Sequence, residues 1–227
     1  MTGTNLLILF VKYPEKGRVK TRLIPDIGAE NACCLYCAFV RDMLSEMQKG
    51  PFETVVFYTP AERKEEIRAF LGARVAMIPQ EGSDLGTRMR RAFERVFEKN
   101  SVHNAVIVGS DIPDLAYDTV AKGFDGLRTH DAVIGPASDG GYYAIGFSRS
   151  TVAPAVFQDM TWGTDGVFRE TWRRLVAWGW SPFLIEEKCD VDTGTDMARL
   201  IDSLRRRPQS SPATRRCLKD MGYDLTG

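Results

Sequence analysis

Between Asn5 and Gly135, short β-like runs alternate with longer segments of helical period, and few folds accept that order. The runs are Asn5 to Val11, Glu53 to Tyr58, Arg74 to Ile78, Asn104 to Val108 and Asp131 to Gly135. Helices are expected between them, over Ala29 to Lys49, Ala61 to Leu71, Leu85 to Lys99 and Asp118 to Thr129. Apolar strands joined through helices lie parallel and are covered on both faces, so the chain reads as α/β with a largely parallel sheet. After Gly135 the rhythm changes. Gly140 to Phe147 and Pro182 to Glu186 read as further strands around a helix over Asp165 to Trp178, which makes the second half mixed. A final helix pair, Thr195 to Arg206 and Pro212 to Met221, is divided by the Pro/Ser-rich turn Pro208 to Pro212.

No linker or charge block divides the 227 residues, so one domain with a C-terminal helical extension is expected. Thirty basic and thirty acidic residues cancel, leaving no global field to draw nucleic acid or an anionic membrane. A basic site must be local. The longest uninterrupted apolar stretch, Leu6 to Val11, is far short of a membrane span or a signal h-region, and a cytoplasmic protein without membrane insertion is expected. Three of the five cysteines, Cys33, Cys34 and Cys37, crowd into one expected helix, which fits a reducing compartment better than a disulfide framework. Cys34-Leu35-Tyr36-Cys37 has redox spacing but sits mid-helix among apolar neighbours, and reads as packing.

The run Ala105 to Val108 ends in Gly109-Ser110-Asp111-Ile112-Pro113-Asp114-Leu115. Asp111 therefore stands at the carboxyl end of a buried strand, where open α/β sheets keep their ligands and where a carboxylate can hold a divalent cation. Taken alone it could equally close an Asx turn. Behind the first strand, Lys12 to Leu23 holds five positive charges, one acid and Gly17. Such a loop can present backbone N–H groups and cations to a phosphate, although its spacing is neither a Walker A loop nor GxGxxG. If it is extended, Arg18, Lys20 and Arg22 alternate and point to one ligand.

Gln80-Glu81-Gly82-Ser83-Asp84-Leu85-Gly86-Thr87-Arg88 follows the third run and opens a helix with Asp84 or Ser83 as its cap, offering a helix N-terminus to a nucleotide. Ser138-Asp139-Gly140-Gly141-Tyr142-Tyr143 allows close backbone approach to a ligand, with the tyrosines as pocket walls or as plain sheet residues. Trp162-Gly163-Thr164-Asp165 precedes a helix, with Thr164 as its cap; Trp162 either covers a sugar or a base or packs in the core. Asp190-Val191-Asp192-Thr193 mimics a phosphatase nucleophile motif. Its position argues otherwise, since only about 35 residues follow Asp192, too few for the strands such a core needs. Asp192 then serves as a second metal ligand beside Asp111, Thr195 caps the last long helix, and Asp114 reads as a helix-capping residue.

Together these residues resemble the glycosyltransferase-A type superfamily of nucleotide-diphospho-sugar transferases and related nucleotidyltransferases. GRVKTRL is similar to the nucleotide loop of phospholactate and molybdenum-cofactor guanylyltransferases, GSDIPDL to their metal-binding strand end, and DVDTGTDMARL to their closing DxDTPEDL motif. With EGSDLGTRM, GPASDGGYYAIG and WGTD, the set looks most like a little-characterised bacterial family of provisionally named glycosyltransferases, over residues 5 to about 203.

The resemblance implies one mixed, mostly parallel sheet of about seven strands flanked by helices on both faces. Residues 1–207 would form the nucleotide-binding transferase domain and residues 208–227 a helical extension packed on it. It implies Mg²⁺ or Mn²⁺ on Asp111 and Asp192, with a nucleotide or nucleotide-sugar donor held by Lys12, Gly17, Arg18, Lys20, Arg22, Gln80, Gly82, Asp84, Leu85 and Arg88. Lys20, Asp111 and Asp139 are the candidate catalytic residues, Asp139 as base or sugar-hydroxyl ligand. Asp139, Gly140, Gly141, Tyr142, Trp162 and Thr164 would form the pocket for a sugar or small-molecule acceptor.

The expected reaction is glycosyl transfer from a nucleoside diphosphate-sugar. The alternative is transfer of a nucleoside monophosphate from a triphosphate to a phosphorylated small molecule, and a third is non-catalytic nucleotide binding. A homodimer is compatible with each. Two departures stand out: Asp111-Ile112-Pro113-Asp114 replaces Asp-x-Asp, and Gly194-Thr195 replaces Pro-Glu, which leaves that helix start less rigid.

Overall fold

The computed structural model describes residues 3–152 and 154–226. Seven strands form one sheet: β1 (Thr4–Lys12), β2 (Glu53–Thr59), β3 (Met77–Pro79), β4 (Val102–Val108), β5 (Ala132–Pro136), β6 (Tyr142–Ser148) and β7 (Pro182–Leu184). Their order is β3-β2-β1-β4-β6-β5-β7. All neighbours run parallel except β6, which is antiparallel to both β4 and β5. The helices are α1 (Ile24–Met47), α2 (Lys64–Leu71), α3 (Leu85–Phe97), α4 (Tyr117–Gly126), α5 (Val167–Ala177), α6 (Gly194–Arg206) and α7 (Pro212–Asp220).

The alternation along β1 explains how both faces are covered. Leu7, Leu9 and Val11 pack with Tyr36, Val40 and Met43 of α1, Ile67 of α2 and Val120 and Phe124 of α4. Leu6 and Ile8 point the other way, to Met89, Phe93 and Val96 of α3 and Leu175 of α5. Fully burying each such side chain contributes about 1.5–3 kcal/mol, so a register slip that exchanged the two faces would cost the whole set. A third cluster joins the outer side of α1, through Leu35 and Phe39, to Leu200, Ile201 and Leu204 of α6 and Leu218 of α7.

Most element ends shift by one to three residues, and two elements differ more from the sequence reading. α1 begins five residues earlier than Ala29, because Pro25 sits in its first turn, where a missing N–H costs nothing, and Gly28 at φ 80° takes up a kink. By length and composition the segment Thr21–Met47 could cross a membrane. Its apolar side chains are instead shared between the sheet and the α6–α7 layer. β3 is shorter than Arg74 to Ile78, since only Met77 to Pro79 pair with β2.

β1 leads through β2 to β3 on one side, whereas β4 lies on the other side of β1. The chain therefore changes direction between β1 and β4. A crevice opens beyond the carboxyl ends of such a pair, and loops from both halves of the chain border it.

Candidate active site

A cleft of about 460 Å³ lies over that crevice, within the size range of small-molecule sites. It is lined by Lys12, Arg18, Lys20, Gln80, Leu85, Arg88, Asp111, Asp192 and Tyr142 among the residues singled out from the sequence, and also by Tyr36, Ser110, Tyr143 and Asp190. Gly17, Arg22, Gly82, Asp84, Asp139, Gly140, Gly141, Trp162 and Thr164 do not line it.

The basic loop is not extended. Lys20 takes a left-handed backbone conformation (φ 46°, ψ 44°) and a short 3₁₀ turn, Thr21–Leu23, follows it. The three cations therefore separate instead of aligning. Arg18 turns back to Glu15 at 3.4 Å with 72% of its side chain exposed, while Arg22 stands 3.9 Å from Asp192 and is 69% exposed. Lys20 is turned inward and only 3% exposed. Lys12 closes the loop by donating Nζ to the Arg18 carbonyl at 2.7 Å.

Lys20 Nζ pairs with both Asp111 and Asp192, the latter at 2.9 Å, and lies 5.6 Å from the centre of the Phe39 ring. The two carboxylates reach this point from opposite ends of the chain because the Val191 N–H donates to the Asp111 carbonyl at 3.0 Å, laying the Asp190–Asp192 segment along the end of β4. Burial alone would pull the Lys20 pKa down; Asp111 and Asp192 outweigh it, and the pKa is raised. The ammonium stays charged across the neutral range.

Asp190 completes an acidic wall. Its pKa is raised to about 6 by burial first, then by the charge of Asp139, with Asp111 and Asp192 adding to it. Its Oδ1 is buried without a hydrogen-bond partner. Among the described residues no group of three or more His, Cys, Asp or Glu side chains is arranged to hold a metal ion. Asp111 and Asp192 nonetheless converge on one point, the Lys20 ammonium, and Asp190 lines the same cleft. Two carboxylates with all-oxygen chemistry suit Mg²⁺ or Mn²⁺ when substrate phosphates supply further ligands.

Several predicted roles require correction. Asp114 does not cap α4, whose first turn follows Ala116; it accepts a hydrogen bond from Ser203 Oγ at 2.8 Å and pairs with Arg207, tying the end of the strand loop to α6. Thr193, not Thr195, caps α6, in a reciprocal box with Asp196 that makes this helix start rigid without Pro-Glu. Thr164 donates to the Thr161 carbonyl and α5 begins after Gly166.

The two-glycine loop stands near Asp190 but does not line the cleft. Asp139 accepts the Gly141 N–H at 2.9 Å in an Asx turn, and Gly140, at φ 90°, lies where a Cβ would meet the Asp165 carbonyl oxygen at 2.2 Å. Its glycines serve the approach of the Trp162–Asp165 segment. Trp162 packs edge-on to Tyr142 with ring centres 6.4 Å apart, and borders a second cleft with Asp84, Thr87, Arg90 and Phe157. Tyr143 donates its hydroxyl to the Glu186 carbonyl at 2.9 Å, as a sheet residue whose edge faces the main cleft. Asp84 caps α3 through the Thr87 N–H, as read from the sequence, and Arg88 donates Nε to the Gly82 carbonyl, bracing that loop.

A mixed seven-stranded sheet with a lysine and two aspartates gathered over its point of strand reversal has the nucleotide-diphospho-sugar transferase fold. Residues 43–164, more than half of the chain, match the family model described as an uncharacterized protein conserved in bacteria (DUF2064), and the chain belongs to that family. A solved structure from Desulfovibrio desulfuricans G20, provisionally described as a nucleotide-diphospho-sugar transferase, is 34% identical, covers 97% of each chain and superposes with a TM-score of 0.90. The 3-phospho-D-glycerate guanylyltransferase of Phenylobacterium zucineum (strain HLK1) is 32% identical over 126 residues, 54% of this chain; the match spans only 57% of that relative's length. Rv0371c of Mycobacterium tuberculosis H37Rv, solved in complex with manganese, is 18% identical and covers 89% of this chain and 100% of its own, with a TM-score of 0.54. That last likeness is one of fold alone.

Proposed function

We propose that the protein is a transferase acting on a nucleotide-activated donor, and that its reaction is nucleotidyl transfer from a nucleoside triphosphate to a phosphorylated small molecule with release of pyrophosphate. The observation that carries this reading is the meeting of Lys20, Asp111 and Asp192 over the cleft. Lys12, Arg18 and Arg88 line the same space and supply the positive charge a triphosphate requires.

The attacking group favours nucleotidyl over glycosyl transfer. A phosphate acceptor is already anionic at neutral pH and needs no base, whereas a hydroxyl does. Asp139, the base expected from the sequence, is engaged with the Gly141 N–H outside the cleft. Asp114, the second acid of an Asp-x-Asp arrangement, is engaged with α6. The guanylyltransferase relative supports the same choice.

Asp111 and Asp192 would hold Mg²⁺ or Mn²⁺, which when bound offsets negative charge on the phosphates and the leaving pyrophosphate. The chain's own part is then to orient the donor. Lys20 and Arg18 would grip the phosphate chain, Gln80, Leu85 and Arg88 would border the nucleoside, and the burial of Lys20, 3% exposed, would strengthen its own contact with a phosphate.

One observation favours the second reading, glycosyl transfer. Asp190 lines the cleft with its pKa near 6, the range of a general base that could activate an acceptor hydroxyl. The name of the Desulfovibrio desulfuricans relative points the same way.

Incubation with each nucleoside triphosphate, manganese and 3-phospho-D-glycerate, followed by a pyrophosphate assay, tests the first reading. Pyrophosphate released only when the acceptor is present supports it. Release of a nucleoside diphosphate from a nucleotide-sugar, with triphosphates inert, would establish the second.

A further inference from the structure

The pairing register of β1 with β4 ends at Leu9 opposite Val108. Beyond that point the two strand ends separate to open the cleft, one leading into the basic loop at Lys12 and the other into Ser110 and Asp111. Tyr36, reaching up from α1, crosses the gap. Its hydroxyl accepts the Lys12 backbone N–H at 2.9 Å and shares a hydrogen bond with Ser110 Oγ at 3.1 Å. Both Tyr36 and Ser110 are buried.

We propose, resting on the nucleotide-transferase reading above, that Tyr36 is a positioning residue whose hydroxyl holds the cationic loop and Asp111 at the separation at which both can face one phosphate group of the donor. The sequence places Tyr36 inside Cys34-Leu35-Tyr36-Cys37, where helical period alone makes it a core residue. A phenylalanine would fill that core equally well. The hydroxyl is what has two partners at the two halves of the site, and without it a part-buried N–H and a buried hydroxyl each lose a partner.

Proton transfer is not the role of this group. Burial first, and then the charge of Asp111, push the tyrosine pKa far above neutrality, so the phenol remains protonated wherever the protein is folded. Catalytic geometry, by contrast, is sensitive to displacements of the size this bridge controls, since about 1 Å of misplacement can cost about a hundredfold.

The test separates the loop's grip on phosphate from the contribution of Asp111. Binding of methylanthraniloyl-labelled ATP, GTP, CTP and UTP is measured on the full chain with EDTA and with manganese. Wild type is expected to bind one of them more tightly with manganese. In Tyr36→Phe the affinity in EDTA should stay within about twofold, while the enhancement by manganese falls about tenfold or more, a change of about 1.4 kcal/mol. Ser110→Ala removes the other end of the same bridge and should reproduce this loss, and the double variant should be no worse than either single one.

A merely structural tyrosine would lower the melting temperature and leave the manganese enhancement of the folded fraction intact; that result overturns the proposal. If Tyr36→Phe does not fold, a Ser110→Ala protein with full enhancement overturns it as well. A wild-type protein that binds none of the four nucleotides in either condition overturns the transferase reading itself, and the two failures are thus distinguishable.

Discussion

The ammonium of Lys20 and the carboxylate of Asp192, 172 residues apart in the chain, meet at 2.9 Å, and the same ammonium pairs with Asp111. A monovalent cation on a flexible stem therefore occupies the point on which both proposed metal-binding carboxylates converge. Lys20 and a divalent ion compete for the same oxygens unless the lysine moves outward to a phosphate.

Replacing Lys20 with methionine should consequently separate cation affinity from nucleotide affinity. Manganese binding to the nucleotide-free protein is expected to tighten about tenfold, because groups in one ion-pair network couple by about 0.5–3 kcal/mol. Nucleotide binding should weaken in the same variant, since the phosphates lose their innermost cation. Manganese electron paramagnetic resonance, titrated without and with nucleotide, checks both halves. Unchanged manganese binding in Lys20→Met would show that the lysine does not compete.

Asp190 gives a pH dependence whose sign follows from its pKa of about 6, above the value of about 4 expected in the unfolded chain. The folded state binds the proton more tightly. The resulting stabilisation is fully present below the unfolded pKa and is lost as the pH rises through about 6. In EDTA, this group should make the protein more stable at about pH 5 than at about pH 7. Asp190→Asn should remove that slope and raise stability at pH 7 by up to about 3 kcal/mol, the equivalent of about two pKa units. Urea melts across the pH range measure it, and a variant with the wild-type slope would place the titration elsewhere.

The strands were legible because buried parallel strands carry a continuous apolar signal, as in Leu6 to Val11 and Ala105 to Val108. Asp111 and Asp192 were legible as candidates because each follows or approaches a strand end, where side chains of an α/β sheet meet a ligand. Tyr36 was not, since its position on α1 satisfies the helical period and only the tertiary fold shows two partners for its hydroxyl. The two-glycine loop misled for a related reason. Glycine marks close approach without saying of what, and here the approaching group is the Asp165 backbone rather than a ligand. Capping candidates two residues apart, Thr193 and Thr195, are also indistinguishable until the helix start is set by the Asp196 box.

Gly86 provides a test of the packing that carries Trp162. A Cβ at this position would stand 2.6 Å from Trp162 Cζ2 and 2.7 Å from the Phe157 carbonyl oxygen. The indole can shift, but the backbone oxygen cannot yield cheaply. Gly86→Ala should therefore cost about 1–3 kcal/mol despite the better helix propensity of alanine, which alone would favour it by about 1 kcal/mol. Thermal melting gives the magnitude, and tryptophan fluorescence should report increased solvent exposure. An unchanged or raised melting temperature would show that the Phe157 segment relaxes freely.

The last helix depends on a carboxylate it does not carry. Asp42 of α1 is buried, and its two oxygens accept the N–H groups of Ala213 at 2.9 Å and Thr214 at 2.7 Å, in the first turn of α7. Ser211, the residue before that helix, is left-handed and makes no side-chain cap, so Asp42 supplies the cap from another element. The N-terminal end of α7 also carries the positive end of its dipole, which makes the charge of the carboxylate favourable there. Asp42→Asn keeps one acceptor and should lose about 1 kcal/mol, whereas Asp42→Ala loses both acceptors and should lose about 2 kcal/mol or more. Because Leu218 remains packed against the α1–α6 layer, the first consequence should be local: cleavage by added protease at the exposed Pro208 and Gln209, ahead of global unfolding. Limited proteolysis with mass-spectrometric mapping would show this, and equal cleavage rates in wild type and Asp42→Ala would mean that apolar contacts alone hold the helix.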